Sequence, residues 1–170
     1  AGVVRNAVEF SRLKLGVNGC RAVAEAGFRP GTVDVFDLRN LPLAELKHKQ
    51  VTAAQGRASF EYVAKVIELA LAGEIDATVT GPINKAAINA AGYHYAGHTE
   101  IYAELTKTRN YSMMLAEGNF RVAHVSTHVA LARVPSLVTP ERLTRVLELT
   151  LDALHRFGID KPRIAVAALN

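Results

Sequence analysis

Three segments of the chain hold residue types that could do chemistry. In Val79-Thr-Gly-Pro-Ile-Asn-Lys85 an extended run stops at Gly81-Pro82 and a helix can open at Asn84. Free backbone N–H groups at that helix start, helped by the Lys85 ammonium, could hold an anion. An ordinary strand-to-helix turn with Lys85 in solvent fits the same residues. In Gly97-His98-Thr99-Glu100 the glycine frees the backbone, while His98 and Thr99 offer hydrogen-bonding groups at a helix N-terminus. That arrangement suits a phosphate, a carboxylate or a hydroxy acid. The plainer reading makes Thr99 a helix cap and His98 an exposed loop residue. In Arg121-Val-Ala-His124-Val-Ser-Thr-His128-Val-Ala-Leu131 the two histidines stand four positions apart. On a helix this would set both imidazoles on one face as metal ligands. The residues before His124 look extended, however. His124 therefore reads as a strand residue with a satisfied hydrogen bond, and His128 as a loop residue that could be aimed into a cleft. No second ligand cluster accompanies them, and neither a Walker phosphate loop nor a Gly-x-Gly-x-x-Gly fingerprint occurs.

The elements that must position these segments alternate between strand and helix. Val4–Leu15 has helical spacing through Val4, Ala7, Val8 and Leu15, with Gly16 just after it; Cys20–Ala26 reads as a short helix closed by Gly27. Val33–Phe36 is predicted as a strand and Leu41–Thr52 as loop-rich. From Arg57 to Ala72, Phe60, Val63, Ile67 and Leu71 form one stripe, with Gly73 at the C′ position. Ile75–Thr80 is predicted as a strand, and Asn84 caps a helix through Ala90. Thr99 is predicted to cap another helix, with Glu100 in its first turn. Tyr111–Ala116 and Phe120–Ser126 read as strands around a Glu117-Gly118-Asn119 turn. Thr139-Pro140-Glu141 starts a helix that runs to Phe157 and stops at Gly158. Ile164–Leu169 reads as a last strand. The near-continuous apolar runs Met113-Met-Leu-Ala and Ile164-Ala-Val-Ala-Ala-Leu suit strands buried on both faces. The fold class predicted is α/β, a mainly parallel sheet covered by helices, with room for one antiparallel hairpin.

Composition narrows the function. Of 170 residues 49% are apolar and 21% charged, which argues against disorder and suits about one domain. Twenty Lys+Arg against sixteen Asp+Glu leave a net charge of +4, spread along the chain and densest at Lys47-His48-Lys49. A basic stripe with interleaved aromatics is missing, so no nucleic-acid partner is expected. Cys20 is the single cysteine, so nothing demands an oxidising compartment. No apolar run approaches the roughly 20 residues that cross a bilayer, and no secretory leader is visible. No membrane partner and a cytoplasmic location are the expectations. Ala1 is not an initiator methionine, and Arg163–Asn170 stops where a loop should follow a strand. The chain 1–170 is therefore read as a fragment of one α/β enzyme, lacking its N-terminal start and its C-terminal half.

Taken in order, Val79-Thr-Gly-Pro-Ile-Asn-Lys85, Ala91-Gly92, Gly97-His-Thr-Glu100, Met113-Met-Leu115, His124-Val-Ser-Thr-His-Val-Ala-Leu131 and the Phe157-Gly-Ile159 and Lys161-Pro-Arg-Ile164 tail closely resemble the 4-hydroxythreonine-4-phosphate dehydrogenase family of pyridoxal phosphate biosynthesis. The resemblance runs from about Lys49 onward. It implies an α/β/α architecture like that of isocitrate dehydrogenase and a homodimer. It also implies an oxidation and decarboxylation that depends on NAD or NADP and on a divalent metal (Zn, Mg, Co or Mn). The implied substrate is a small phosphorylated hydroxy acid: 4-(phosphooxy)-L-threonine, converted to 3-amino-2-oxopropyl phosphate. Carried over by motif, His98 and Thr99 match the family's substrate-binding pair, and His128 matches one metal-ligand histidine. The family's nearest further metal histidine lies in an Asn-Pro-His-Ala-Gly-Glu segment whose Asn matches Asn170. The same pattern resembles a sister branch acting on D-threonate or D-erythronate 4-phosphate. A non-catalytic anion-binding or dimerisation module is the alternative from another class, and an acyltransferase of the related phosphotransacetylase fold a more distant one.

Overall fold

A computed structural model describes residues 1–168. The chain divides into two compact units, Ala1–Lys107 and the residues from Thr108 onward.

In the first unit, helix α1 (Gly2–Phe10) precedes strand β1 (Gly16–Cys20), which pairs in parallel with β2 (Thr32–Phe36). The register places Asn18 beside Asp34. The Asn18 amide donates to Asp34 Oδ1 at 2.7 Å and the Phe28 N–H to Oδ2 at 2.8 Å. One carboxylate thus ties both strands to the connection between them. This corrects two expectations. The first helix stops at Phe10 rather than Leu15, and Cys20 ends a strand rather than opening a helix, with only a 3-10 turn at Val23–Glu25. The ladder to β2 claims the backbone of Gly16–Cys20, and a pairing of distant segments overrides local helical spacing.

Helix α2 (Ala53–Leu71) starts four residues earlier than the spacing predicts, because Thr52 caps it by accepting from the Gln55 N–H at 3.3 Å. Val63 and Ile67 of its stripe are buried, but Leu71 is 65% exposed. Helix α3 (Lys85–Ala90) is capped by Asn84, whose Oδ1 accepts from the Ala87 N–H at 2.9 Å, as expected. Helix α4 (His98–Leu105) closes the unit. The core gathers Val63, Ile67 and Ile101, flanked by Phe60, Ile83, Tyr95 and Tyr102. Phe60 also stacks on Tyr93, with ring centroids 3.8 Å apart.

In the second unit, β3 (Met114–Glu117) and β4 (Phe120–Ala123) form the antiparallel hairpin foreseen, joined by Gly118-Asn119 with φ 52° at Gly118. The Met113-Met-Leu-Ala run is not buried on both faces: Leu115 is 57% exposed. A two-stranded hairpin covers one face at most. A short helix α5 (Val134–Leu137) leads to α6 (Pro140–Arg156), capped by Thr139 with Pro140 in its first turn and ended before Gly158 at φ 78°.

The architecture is mixed α/β, with a parallel pair, an antiparallel pair and helices, in agreement with the predicted class. Two predicted strands differ. Among the described residues, Ile75–Thr80 and 164–168 pair with no strand, and Val79 and Val166 are 99% and 64% exposed. A strand exists by its ladder, so an apolar run without a neighbour stays irregular. Leu169 and Asn170, the end of the last predicted strand and the Asn of the family's next motif, lie outside the described residues. No helix among the described residues is long and apolar enough to cross a membrane.

Candidate functional site

The site builds up from the start of α4. Gly97 occupies its N-cap in an extended conformation (φ 176°, ψ −167°), and no side chain caps the helix. The expectation that Thr99 would be the cap is therefore corrected: Thr99 stands one position inside the helix, exposed. A cap residue must precede the helix, and here Gly97 already occupies that place. The consequence is chemical. The first N–H groups of α4 keep no side-chain acceptor, and the Thr99 hydroxyl is not consumed by capping. Glu100 lies in the first turn as expected.

His98 is the first helical residue and is half-buried, and its Nε2 is fully buried with no hydrogen-bond partner. A buried ring nitrogen without a partner costs about 1–3 kcal/mol. A buried ring nitrogen of this kind calls for a hydrogen-bonding group to be brought to it. Sequence spacing marks the residue but cannot show that its nitrogen is left open.

The turn from Val79 to Lys85 is held differently. Asn84 is spent on its cap, Ile83 packs on the core, and Gly81, Pro82 and Lys85 are exposed. The reading of a solvated Lys85 at an ordinary turn describes this geometry. One contact links the stretch to α4: the Tyr102 hydroxyl donates to Thr78 Oγ1 at 2.8 Å. Nothing in the sequence pairs those two residues in advance.

In the second unit, His124 follows β4 directly. Its N–H donates to the Met113 carbonyl at 3.0 Å, its Nδ1 lies 3.3 Å from the same oxygen, and its carbonyl accepts from the Ser112 hydroxyl at 2.8 Å. It is the satisfied structural histidine expected. His128 sits in a loop with φ 56°, exposed, so no helix sets the two rings on one face. Arg142 of α6 holds the root of that loop, its Nε donating to Val125 O at 2.9 Å and its Nη1 to Tyr111 O at 3.1 Å. No group of three His, Cys, Asp or Glu that could hold a metal occurs among the described residues. His128 alone therefore makes no metal centre, and no chemical step can be built through an ion on these residues.

The family model described as pyridoxal phosphate biosynthetic protein PdxA matches residues 2–170. A Bradyrhizobium diazoefficiens protein provisionally named D-threonate 4-phosphate dehydrogenase is 54% identical over 125 residues, 74% of this chain and 36% of its own. A Clostridium botulinum protein of the same provisional name is 38% identical over 170 residues, all of this chain and 51% of its own. A crystal structure of 4-hydroxythreonine-4-phosphate dehydrogenase from Klebsiella pneumoniae superposes with a TM-score of 0.91 at 33% identity, covering 100% of this chain and 52% of that one. The chain thus spans about half the length, or less, of the relatives it matches.

Proposed function

The chain belongs to the PdxA family of pyridoxal phosphate biosynthetic proteins, and from that premise we propose that it forms part of a dehydrogenase acting on a phosphorylated four-carbon hydroxy acid. The observation that carries the reading is the unpartnered His98 Nε2 at the uncapped start of α4. In this proposal the His98 ring, the Thr99 hydroxyl and the first N–H groups of α4 receive the substrate's oxygens. The helix end favours negative charge there. A bound NAD or NADP would supply the hydride acceptor for the hydroxyl-bearing carbon β to the carboxylate, the hydroxyl proton passing to solvent. The ketone so formed lies β to the carboxylate, which leaves as carbon dioxide. His128 is proposed as a single ligand of a divalent metal, the other ligands lying elsewhere in the enzyme. A cytoplasmic homodimer is part of the same proposal.

The substrate is either 4-(phosphooxy)-L-threonine, giving 3-amino-2-oxopropyl phosphate, or D-threonate (or D-erythronate) 4-phosphate. The names of the curated relatives favour D-threonate 4-phosphate, and that of the solved structure favours the amino acid. The test is NADH or NADPH production by the full-length enzyme with each acid. One acid is expected to be oxidised with a kcat/KM at least about tenfold above the others. Replacing His98 by Ala, or Thr99 by Val, is expected to raise KM for it about tenfold or more, as loss of a hydrogen bond to a charged group does. Turnover of none of these acids, or an unchanged KM in both variants, would remove the assignment.

A further inference from the structure

The tether between Tyr102 and Thr78 carries an inference beyond the substrate pair, though it rests on that pair being the binding site. Tyr102 lies one helical turn after His98, so the two side chains share a face of α4. Its ring packs against the Val63–Ile67–Ile101 core, and its hydroxyl reaches out to Thr78. Thr78 sits in the stretch that leads into Gly81-Pro82 and Lys85. Among the described residues, 75–83 makes no backbone–backbone hydrogen bond. Among the described residues, the hydroxyl pair is a hydrogen-bonded link between this stretch and the element that begins with His98.

We infer that Tyr102 and Thr78 are positioning residues: their hydroxyl pair holds α4, one turn beyond His98, against the Thr78 stretch and so sets substrate affinity. Neither touches the substrate. A tether of this kind acts before chemistry. Without it the first turns of α4 sample more conformations, and binding must order them again. The effect belongs in KM, with kcat little changed.

The experiment compares full-length Tyr102→Phe, Thr78→Val, the double variant and Thr78→Ser. Each single removal is expected to raise KM about three- to tenfold, with kcat within about twofold of the parent. The double variant should be no worse than the weaker single, since both remove one contact, and Thr78→Ser should keep the parental KM. Thermolysin should cut between residues 75 and 84 several times faster in Tyr102→Phe and Thr78→Val. Unchanged KM and unchanged cleavage, or additive losses that track Tm, would overturn the inference. If the parent oxidises none of the three acids, the proposed function fails by itself. The cleavage rates then still decide the tether, faster cutting supporting it and equal cutting overturning it.

Discussion

His128 occupies backbone that residues with a Cβ avoid, at φ 56°, a conformation that costs about 1–2 kcal/mol. Strain held on an exposed imidazole is a reason to look for its use. In the full-length enzyme, His128→Ala is expected to weaken divalent-ion binding by about tenfold or more, read by calorimetric titration. Equal affinity would take His128 out of the ligand set. Sequence and structure agree best at this scale where chemistry is local. His124 after an extended run is a satisfied histidine, and Asn84 and Thr139 are caps, because each choice is settled within a few residues. Thr99 misled for the same local reason. Residues two positions apart can both precede a helix on paper, and only the backbone decides that Gly97 does. The open Nε2 of His98 was not legible at all, since it depends on what surrounds the ring.

Helix α2 meets α3 at Gly56, where an added Cβ would stand 1.8 Å from the Ala87 carbonyl oxygen. Alanine is the better helix former by roughly 0.5–1 kcal/mol, but a backbone clash of this depth outweighs that gain. Gly56→Ala is expected to destabilise by about 1–3 kcal/mol in thermal or urea unfolding. A neutral or stabilising result would mean that the two helices can part freely. The β1–β2 pair makes a different prediction. The Asn18 amide, then the Gly27 and Phe28 N–H groups and the charge of Arg29, hold the Asp34 carboxyl below the ordinary aspartate range. A depressed folded pKa contributes stability that is present above the unfolded value and lost as pH falls through the folded one. Unfolding followed across acid pH should therefore show stability declining below about pH 4, with a flatter profile in Asp34→Asn. An equally steep profile in that variant would assign the acid loss to other groups. The helices of the chain were largely legible because their periodicity is local, and the hairpin because Gly118-Asn119 names its own turn. The first strand was not, since Gly16–Cys20 becomes a strand only through its register with residues sixteen positions on.

At the scale of the whole molecule, family membership and fold class were legible from ordered motifs, whereas the sheet was only partly so. Ile75–Thr80 and the run from Ile164 have the composition of central strands, yet among the described residues neither has a partner. Unpaired backbone beside an exposed apolar side chain, here that of Val79, favours edge-to-edge association. The 170-residue chain alone is expected to self-associate in sedimentation experiments at micromolar concentration, and Val79→Lys to reduce that association several-fold. A monomer at all concentrations would show that the run is protected in some other way. The unpaired Ile75–Thr80 stretch runs directly into the Thr80–Lys85 turn. Any strand that completes its ladder therefore narrows the turn's freedom, and by thermodynamic reciprocity a molecule captured at the turn strengthens the hold on that strand by the same factor.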